Sequence, residues 1–351
     1  MKILIIPDVH WSQNSSIVRS EGTFTSTRLH NLINSMNWVE ELAINAGCEL
    51  VVGLGDFFDS TQLNSKEISA LQHINWAKVQ HIFITGNHET SVGSLDYSTS
   101  EIFKLLPSTM VVNSVQTIEL YDNTAQLVFL PYVLERDRLP LLEYLPKDNA
   151  CRNRVIFSHN DLKDVQYGPF LSKEGFSVEE IEANCDLFIN GHIHNCSYVT
   201  PKILNSGNLT GQNFTEDAFT YDHYVQILDT ETMQLTFYVN PYAFNFYKID
   251  VTKVASFEGA VRTMFSSQLK PNPVLTLKVL SKDVECARQL LSEYPHIICR
   301  LIVEQTNDAS NIEEQGAFEA VDHLKQFEEY ALSSIGDNEL VRYELNRVMG
   351  V

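Results

Sequence analysis

The feature that most constrains this chain is an aspartate placed directly after a predicted buried strand. The apolar run at 50–54 is typical of a strand covered on both faces, and the sequence Gly55-Asp56-Phe57-Phe58-Asp59 follows it. A carboxylate at such a place is unfavourable unless a positive charge meets it. A metal ion is one such partner, so the other ligands of an ion at Asp56 should be encoded elsewhere in the chain.

Four further apolar runs, at 2–7, 81–85, 154–158 and 187–190, also read as strands that end in possible metal ligands. The residues that follow them are, in order, Asp8 and His10, Asn87 and His88, His159, and His192 and His194. The carboxyl ends of strands in an α/β sheet share one edge, so we expect these side chains to converge. Their mixture of carboxylate, imidazole and amide suits Mn²⁺, Fe²⁺ or Zn²⁺ better than Mg²⁺ or Ca²⁺.

The remaining periodicity predicts a layered α/β fold followed by a smaller unit. In the first part, helical spacing is present at 28–46, 65–76 and 178–183, and strand patterns at 126–130, 202–207, 224–229 and 235–239. Beyond residue 240 the pattern changes to strands at 246–251, 274–280 and 299–304 with helices at 257–265 and 284–294. These patterns predict one domain over 1–240 and a small α/β domain over 241–305.

The last segment, 306–351, reads as a polar linker followed by two stretches with helical spacing, at 318–333 and 338–348. Such helices could pack on the body of the protein or bind a groove on another chain. We favour the second interpretation because the segment is terminal and follows a linker.

Charge and cysteine content limit the possible partners and the compartment. The formal net charge is −20, which is unfavourable for direct DNA binding unless bound cations or a basic partner compensate. The six cysteines include no C-x-x-C pair, which indicates reduced thiols in a cytoplasmic protein. No apolar run reaches the roughly 18 residues that a membrane span needs, so we expect no membrane association.

The ordered set of motifs resembles the calcineurin-like metallophosphoesterase superfamily over roughly residues 1–210. The motifs are Asp8-Val9-His10, Gly55-Asp56-Phe57-Phe58-Asp59, Gly86-Asn87-His88-Glu89, Ser158-His159 and Gly191-His192-Ile193-His194. The resemblance implies an αββα-type sandwich. The second motif, the segment 229–242 and the domain layout look most like the SbcD-type DNA repair nucleases, especially the catalytic subunit of phage recombination endonucleases.

This resemblance implies a site for two divalent ions, expected to be Mn²⁺ with Mg²⁺ as the alternative. One ion would be held by Asp8, His10, Asp56 and His194, and the other by Asp56, Asn87, His159 and His192. His88 would steer the phosphate or protonate the leaving oxygen.

Five further residues have roles that the sequence indicates less clearly. Asp59 would support a ligand from behind, and Glu89 would either orient His88 or be solvated. Ser206 and Asn208 would face the substrate or form an ordinary turn, and for Asp161 a surface role is favoured.

The resemblance predicts a two-metal-dependent DNA nuclease, with exonuclease or endonuclease activity, for DNA end processing, recombination and repair. It would be a homodimer whose C-terminal helices bind an SbcC-type SMC-like ATPase, in the cytoplasm, or in the host cytoplasm if phage-encoded. One alternative, a phosphomonoesterase or small-molecule phosphodiesterase, agrees better with the charge of −20. The other, a non-enzymatic scaffold without metals, is opposed by the intact set of ligands.

Overall fold

Two six-stranded sheets form the body of the protein in the computed structural model. In spatial order, the strands of sheet 1 are Gln234–Val239, Tyr224–Asp229, Lys2–Ile6, Leu50–Gly53, Gln80–Ile84 and Thr109–Val112. Those of sheet 2 are Ser197–Thr200, Ile203–Asn205, Leu187–Asn190, Asn153–Ser158, Ala125–Leu130 and Gln116–Glu119. The structure describes residues 1–305 except 15–16, 18–19, 22–24, 92–93, 121–122, 149–150, 168–169, 221, 255, 268 and 296.

Each sheet has a parallel centre, which brings the carboxyl ends of its strands to one edge. In sheet 1, Lys2–Ile6, Leu50–Gly53 and Gln80–Ile84 are successive parallel neighbours. In sheet 2, Asn153–Ser158 is parallel to both Ala125–Leu130 and Leu187–Asn190. Antiparallel strands complete one edge of sheet 1 and both edges of sheet 2. The predicted strand-end residues therefore leave the sheets in the same direction within each sheet.

The two sheets pack face to face, with helices on their outer surfaces. The apolar layer between them combines residues of both sheets, such as Ile5 and Val52 with Phe129 and Phe157. Helix α1, Thr27–Asn45, covers the outer face of sheet 1, and helix α3, Val178–Asn184, packs on the outer face of sheet 2. This arrangement confirms the predicted αββα layering.

Helix α1 forms because its apolar residues recur every three or four positions and both of its ends are capped. Leu29, Leu32 and Met36 are fully buried on one face. The Ser26 side chain accepts a hydrogen bond from the Leu29 N–H at the N-terminus. At the other end Gly47 takes a φ of +68°, the left-handed conformation that commonly ends a helix.

A third sheet with its own apolar cluster follows the sandwich. Its strands Asn245–Asp250, Pro273–Leu280 and Ile298–Glu304 are all parallel, and helices α4, Phe257–Ser267, and α5, Val284–Glu293, connect them. Leu275 and Leu277 are fully buried in its cluster. Contacts group Met1–Gln305 into one unit, so the division between 240 and 241 remains a prediction. The predicted linker and helices of 306–351 lie outside the described residues.

Short elements complete the described chain. Paired short strands are Ser20–Glu21 with Thr25–Ser26, Thr90–Ser91 with Ser94–Ser98, Leu162–Lys163 with Phe176–Ser177, and Gln166–Tyr167 with Phe170–Leu171. The 3₁₀ turns are Thr99–Leu105, Glu135–Asp137, Leu141–Tyr144 and Ser281–Asp283. Of the helices described, none is both long and apolar enough to cross a membrane.

The prediction of a helix over 65–76 was too long. Helix α2 covers only Ser65–Leu71 and begins with a capping box between Asn64 and Glu67. Beyond it the Asn75 N–H donates to the Asn37 side chain, and Trp76 packs in an aromatic cluster with Phe83 and Phe103. Tertiary contacts thus end a helix that the periodicity alone would continue.

Candidate metal centre

All seven predicted ligands lie at the facing edges of the two sheets. Three groups of acidic and histidine side chains place one ligand atom each within 4.8 Å of the others. The groups are Asp8, His10 and His194; His10, Asp56 and His88; and Asp56, His159 and His192. The convergence that the strand ends predicted is therefore present, although the role of each residue as a ligand remains a prediction.

The first cluster, defined as Asp8, His10 and His194, brings two imidazoles and a carboxylate together. The Nε2 atoms of His10 and His194 are 3.0 Å apart, and Asp8 Oδ2 lies 3.7 Å from His194 Nε2. Asp8 is fully buried, and its Oδ2 receives no hydrogen bond from the described residues. Burial also lowers the pKa of His194 to about 3, which keeps this ring neutral and able to offer a lone pair.

The second cluster is defined as Asp56, Asn87, His159 and His192. Asn87 Oδ1 is 3.1 Å from His159 Nε2 and 2.9 Å from His192 Nδ1. Asp56 Oδ2 is 3.2 Å from His159 Nε2, and His159 has no exposed surface. An amide oxygen, a carboxylate oxygen and two ring nitrogens thus face one point.

Asp56 belongs to both clusters because its Oδ2 also lies 3.9 Å from His10 Nε2. Burial by itself would raise the pKa of the Asp56 carboxyl, but His159 holds it well below the usual range. The other oxygen, Oδ1, accepts a hydrogen bond from the His88 N–H at 2.9 Å. One oxygen is therefore fixed by the backbone while the other faces the two clusters.

The glycines of the motifs allow this close approach. A Cβ on Gly86 would lie 2.2 Å from Asp56 Oδ1, and one on Gly191 would lie 2.7 Å from Asp8 Oδ1. Three site residues, His10, Asp56 and His192, also have positive φ angles of 48°, 45° and 71°. Left-handed backbone in residues other than glycine is uncommon and concentrates at functional sites.

Each of three histidines is oriented by a partner on the ring nitrogen that points away from its cluster. His159 Nδ1 donates to the Leu54 carbonyl at 2.8 Å. His10 Nδ1 lies 3.0 Å from Asp59 Oδ1, and His192 Nε2 lies 3.3 Å from Asp161 Oδ1. Partners of this kind fix the tautomer and leave the inward nitrogen free to bind an ion.

His88 lies at the mouth of the site and is paired with Asp59. The side chains are 41% and 40% exposed, and His88 Nδ1 is 3.4 Å from Asp59 Oδ1. The hydrogen bond with Asp59 raises the pKa of His88 to about 9. Asp59 therefore contacts His10, a predicted ligand, and also contacts His88, which the sequence did not indicate. The supporting role of Asp59 remains a prediction.

Three other predicted residues are engaged inside the protein. Glu89 is fully buried and accepts hydrogen bonds from the Gly86 and Phe58 N–H groups, so it joins two motif loops and is not a solvated side chain. The hydroxyl of Ser206 is bonded to Gln226, and Asn208 contacts Glu216 and His223. The described hydrogen bonds of these three side chains are therefore with other groups of the protein around the site.

Sequence reasoning missed Asp161, for which a surface role was favoured. Its carboxylate contacts His192, a predicted ligand 31 residues further along the chain. The only available signal was its position two residues after His159, which does not reveal the pairing.

The residues present fit divalent ions. The buried Asp8 Oδ2 lacks a hydrogen-bond donor among the described residues, two Nε2 atoms face each other, and glycines leave room where a Cβ would press on the carboxylates. The donor set combines imidazole, carboxylate and amide oxygen, which suits Mn²⁺, Fe²⁺ or Zn²⁺.

Comparison with known proteins identifies the family to which this chain belongs. The calcineurin-like phosphoesterase family matches residues 1–196, and the chain belongs to that family. It is thus a metal-dependent phosphoesterase by class, and the family uses two metal ions. No curated protein matches the chain. Among solved structures, the crystal structure of TT1561 of Thermus thermophilus aligns over 68% of this chain and 98% of its own length, with 10% identity and a TM-score of 0.37.

Proposed function

We propose that this protein is a two-metal-dependent DNA nuclease that works with an SMC-like ATPase in DNA end processing. The class of chemistry, metal-dependent phosphoester hydrolysis, follows from family membership. The choice of a polymeric substrate rests on the position of the third sheet, described below.

The candidate ligands divide as the two clusters do. Asp8, His10 and His194 would hold one ion, Asn87, His159 and His192 the other, and Asp56 would contact both. When bound, two divalent ions stabilise the charge of the phosphoryl group and supply a nucleophile at neutral pH. We expect Mn²⁺ to be the preferred ion, with Mg²⁺ as a weaker substitute.

His88 would act on the leaving oxygen. Its Nδ1 faces Asp59, so the proton available for transfer is the one on Nε2, which lies 4.0 Å from Asp56 Oδ2. In the metal-free protein the hydrogen bond with Asp59 raises the pKa of His88 to about 9, which favours the protonated ring at neutral pH. A protonated imidazole at the mouth of the site can bind a phosphate oxygen and donate its Nε2 proton to the leaving oxygen as the P–O bond breaks, which releases the leaving group as a hydroxyl.

The observation that carries the nuclease proposal is a continuous connection from the site to the third sheet. Asn208 forms a parallel bridge with Asp8. Three residues later the Gly211 N–H donates to the Phe244 carbonyl, and the Ala218 N–H donates to the Phe246 carbonyl. The segment beside a predicted ligand therefore runs onto the first strand of the third sheet. An α/β unit in this position can cover a long substrate, which a small phosphate ester would not require.

The charge of −20 is the main objection, and two features offset it. Bound divalent ions would neutralise part of the acidic site. An ATPase partner would contribute basic surface, because the salt-dependent part of DNA affinity comes from lysine and arginine contacts with phosphates.

The deciding experiment measures Mn²⁺-dependent cleavage of linear duplex DNA, alone and with a candidate SMC-like ATPase. The same preparation is tested on a nitrophenyl phosphate monoester and on the corresponding diester. We expect cleavage of DNA and of the diester, with ATPase stimulation on DNA. Hydrolysis of the monoester with intact DNA would instead support the small-molecule phosphatase suggested by the acidic composition.

The predicted partner is tested by deletion of residues 306–351. We expect the shortened protein to bind Mn²⁺ and cleave the diester as the full chain does, but to lose binding to the ATPase. Unchanged complex formation would show that the C-terminal segment is not the ATPase-binding element.

A further inference from the structure

The Asp161 carboxylate contacts a ring nitrogen that points away from the second cluster. Asp161 Oδ1 lies 3.3 Å from His192 Nε2, while His192 Nδ1 lies 2.9 Å from Asn87 Oδ1 on the opposite side of the ring. The imidazole is thus held between an amide oxygen on the cluster side and a carboxylate on the outer side.

This arrangement has a definite consequence for the tautomer. A neutral imidazole that offers the Nδ1 lone pair to an ion must carry its proton on Nε2, and that proton needs an acceptor. We propose that Asp161 is a positioning residue that holds His192 with Nε2 protonated, and so supports ion binding at the second cluster.

The backbone of Asp161 is held rigidly enough for this role. Its carbonyl accepts a hydrogen bond from the Phe176 N–H at 3.1 Å, and a Cβ on Gly175 would lie 2.0 Å from the same carbonyl oxygen. Gly175 has a φ of +104°, a conformation that glycine adopts readily. These contacts fix the position of the Asp161 backbone, from which its carboxylate reaches His192.

The preceding residue, Asn160, is anchored as well. Its N–H donates to Asn190 Oδ1 at 3.1 Å, and its own Oδ1 accepts from Arg138 Nη1 at 3.2 Å. Because Asn190 lies two residues before His192, this contact links the two loops that carry the interacting pair. Asp161 and His192 are thus positioned by a shared buried network.

The first cluster has a separate carboxylate with the same relation to a histidine, since Asp59 contacts His10. Among the predicted ligands, the described contact of the Asp161 carboxylate is with His192, one of the two histidines of the second cluster. Loss of Asp161 should therefore weaken one ion and spare the other, which a general loss of stability would not do.

The test is Mn²⁺ titration of the full-length protein by calorimetry and electron paramagnetic resonance, for wild type, Asp161→Asn and Asp161→Ala. The matched control is Asp148→Asn, which changes an exposed aspartate. We expect one of two Mn²⁺ equivalents to bind about 10- to 100-fold more weakly in Asp161→Ala, the other to be unchanged, and Asp161→Asn to be intermediate. The control should match wild type.

A second readout needs neither metal nor substrate. Nitrogen-15 NMR of the metal-free protein should show a proton on His192 Nε2 in wild type, whether or not Nδ1 also donates to Asn87 Oδ1, and partial loss of the Nε2 proton in Asp161→Ala. Two unaltered Mn²⁺ equivalents, or equal weakening of both, would overturn the proposal, as would full retention of the Nε2 proton in Asp161→Ala. A wild-type protein that binds two Mn²⁺ ions but does not cleave DNA would refute the nuclease proposal and leave this one standing.

Discussion

The two clusters have similar predicted ligands, but they differ in whether the polar atoms of these side chains have hydrogen-bond partners when no ion is bound. In the second cluster an amide oxygen, Asn87 Oδ1, lies within hydrogen-bonding distance of both His159 and His192. In the first cluster two Nε2 atoms can share one proton, but the buried Asp8 Oδ2 has no donor among the described residues. The second cluster is therefore ordered by hydrogen bonds before an ion binds, whereas the first depends more on the ion itself.

One histidine from each cluster differs clearly in burial. The His159 side chain has no exposed surface, whereas that of His194 is 35% exposed. The ring of His159 is also hydrogen-bonded to the Leu54 carbonyl. We therefore expect His159 to contribute more to the stability of the protein than His194 does.

The largest effect is expected for Asp56→Ala, because Asp56 is the only predicted ligand assigned to both clusters. The substitution should weaken both Mn²⁺ equivalents by more than about 100-fold, since even residues behind a ligand contribute 10- to 100-fold. Hydrolysis of the diester should fall to background. Calorimetry and metal analysis of the purified protein measure this, and retention of one tight ion would show that the clusters do not share Asp56.

The next prediction compares how one histidine from each cluster contributes to the free energy of unfolding. In the presence of a chelator, His159→Ala should lower the free energy of unfolding by about 3 kcal/mol, because it leaves a cavity and a buried carbonyl without its donor. His194→Ala should cost less than about 1 kcal/mol, because the side chain is partly exposed.

Denaturant unfolding with a chelator present measures the free energy of unfolding of each variant. A separate Mn²⁺ titration of each folded variant measures its metal affinity. Each is expected to lose one tight Mn²⁺ equivalent. Equal destabilisation by the two substitutions would contradict the expected difference between the two histidines.

A smaller loss of Mn²⁺ affinity is expected for Gly86→Ala. The added methyl would lie 2.2 Å from Asp56 Oδ1, so the loop must shift, at a cost of about 1–3 kcal/mol. Mn²⁺ affinity should fall at both clusters because Asp56 moves. The matched control is Gly259→Ala in helix α4, where the nearest atom would be the Ser256 hydroxyl oxygen at 3.2 Å. A Gly86→Ala variant that binds Mn²⁺ as wild type does would show that the glycine is not needed for the approach.

The smallest effect on metal binding is expected for His88→Ala. His88 lies at the mouth of the site, and its assigned role is proton donation, so both Mn²⁺ equivalents should bind as in wild type. The kcat for the diester should fall by about 10²- to 10⁴-fold, the range typical of a lost general acid. Cleavage at the wild-type rate would remove His88 from the mechanism, and loss of an ion would make it a ligand.

The strands that lead to the site were predicted closely from local patterns. The predicted strands at 187–190 and 224–229 coincide with Leu187–Asn190 and Tyr224–Asp229. These runs are mostly apolar because both faces of the sheets are covered, so the pattern and the burial carry largely the same information, with Gln226 as a buried polar exception. Helix α2 was predicted less well because its end depends on Asn37 and the aromatic cluster, which are distant in sequence.

The partners of the ligands were not predictable to the same degree. Glu89 follows His88 directly, yet its carboxylate turns inward to two backbone N–H groups. Asp161 reads as an ordinary polar residue after a strand, and its contact with His192 depends on how two loops cross. No regular spacing in the sequence signals either contact, because each depends on how separate strands pack together.

The sequence by itself determined which atoms are available at the strand ends, since side-chain type and strand period are local properties. It thereby determined the metal chemistry and the layered fold. Only the tertiary structure decided which ring nitrogen of His10, His159 and His192 faces its cluster and which oxygen atom contacts the other nitrogen. His10 and His194 are 184 residues apart, and their Nε2 atoms meet only because two sheets pack face to face at a particular offset. That offset results from the volumes of many buried side chains acting together, and no single stretch of sequence contains it.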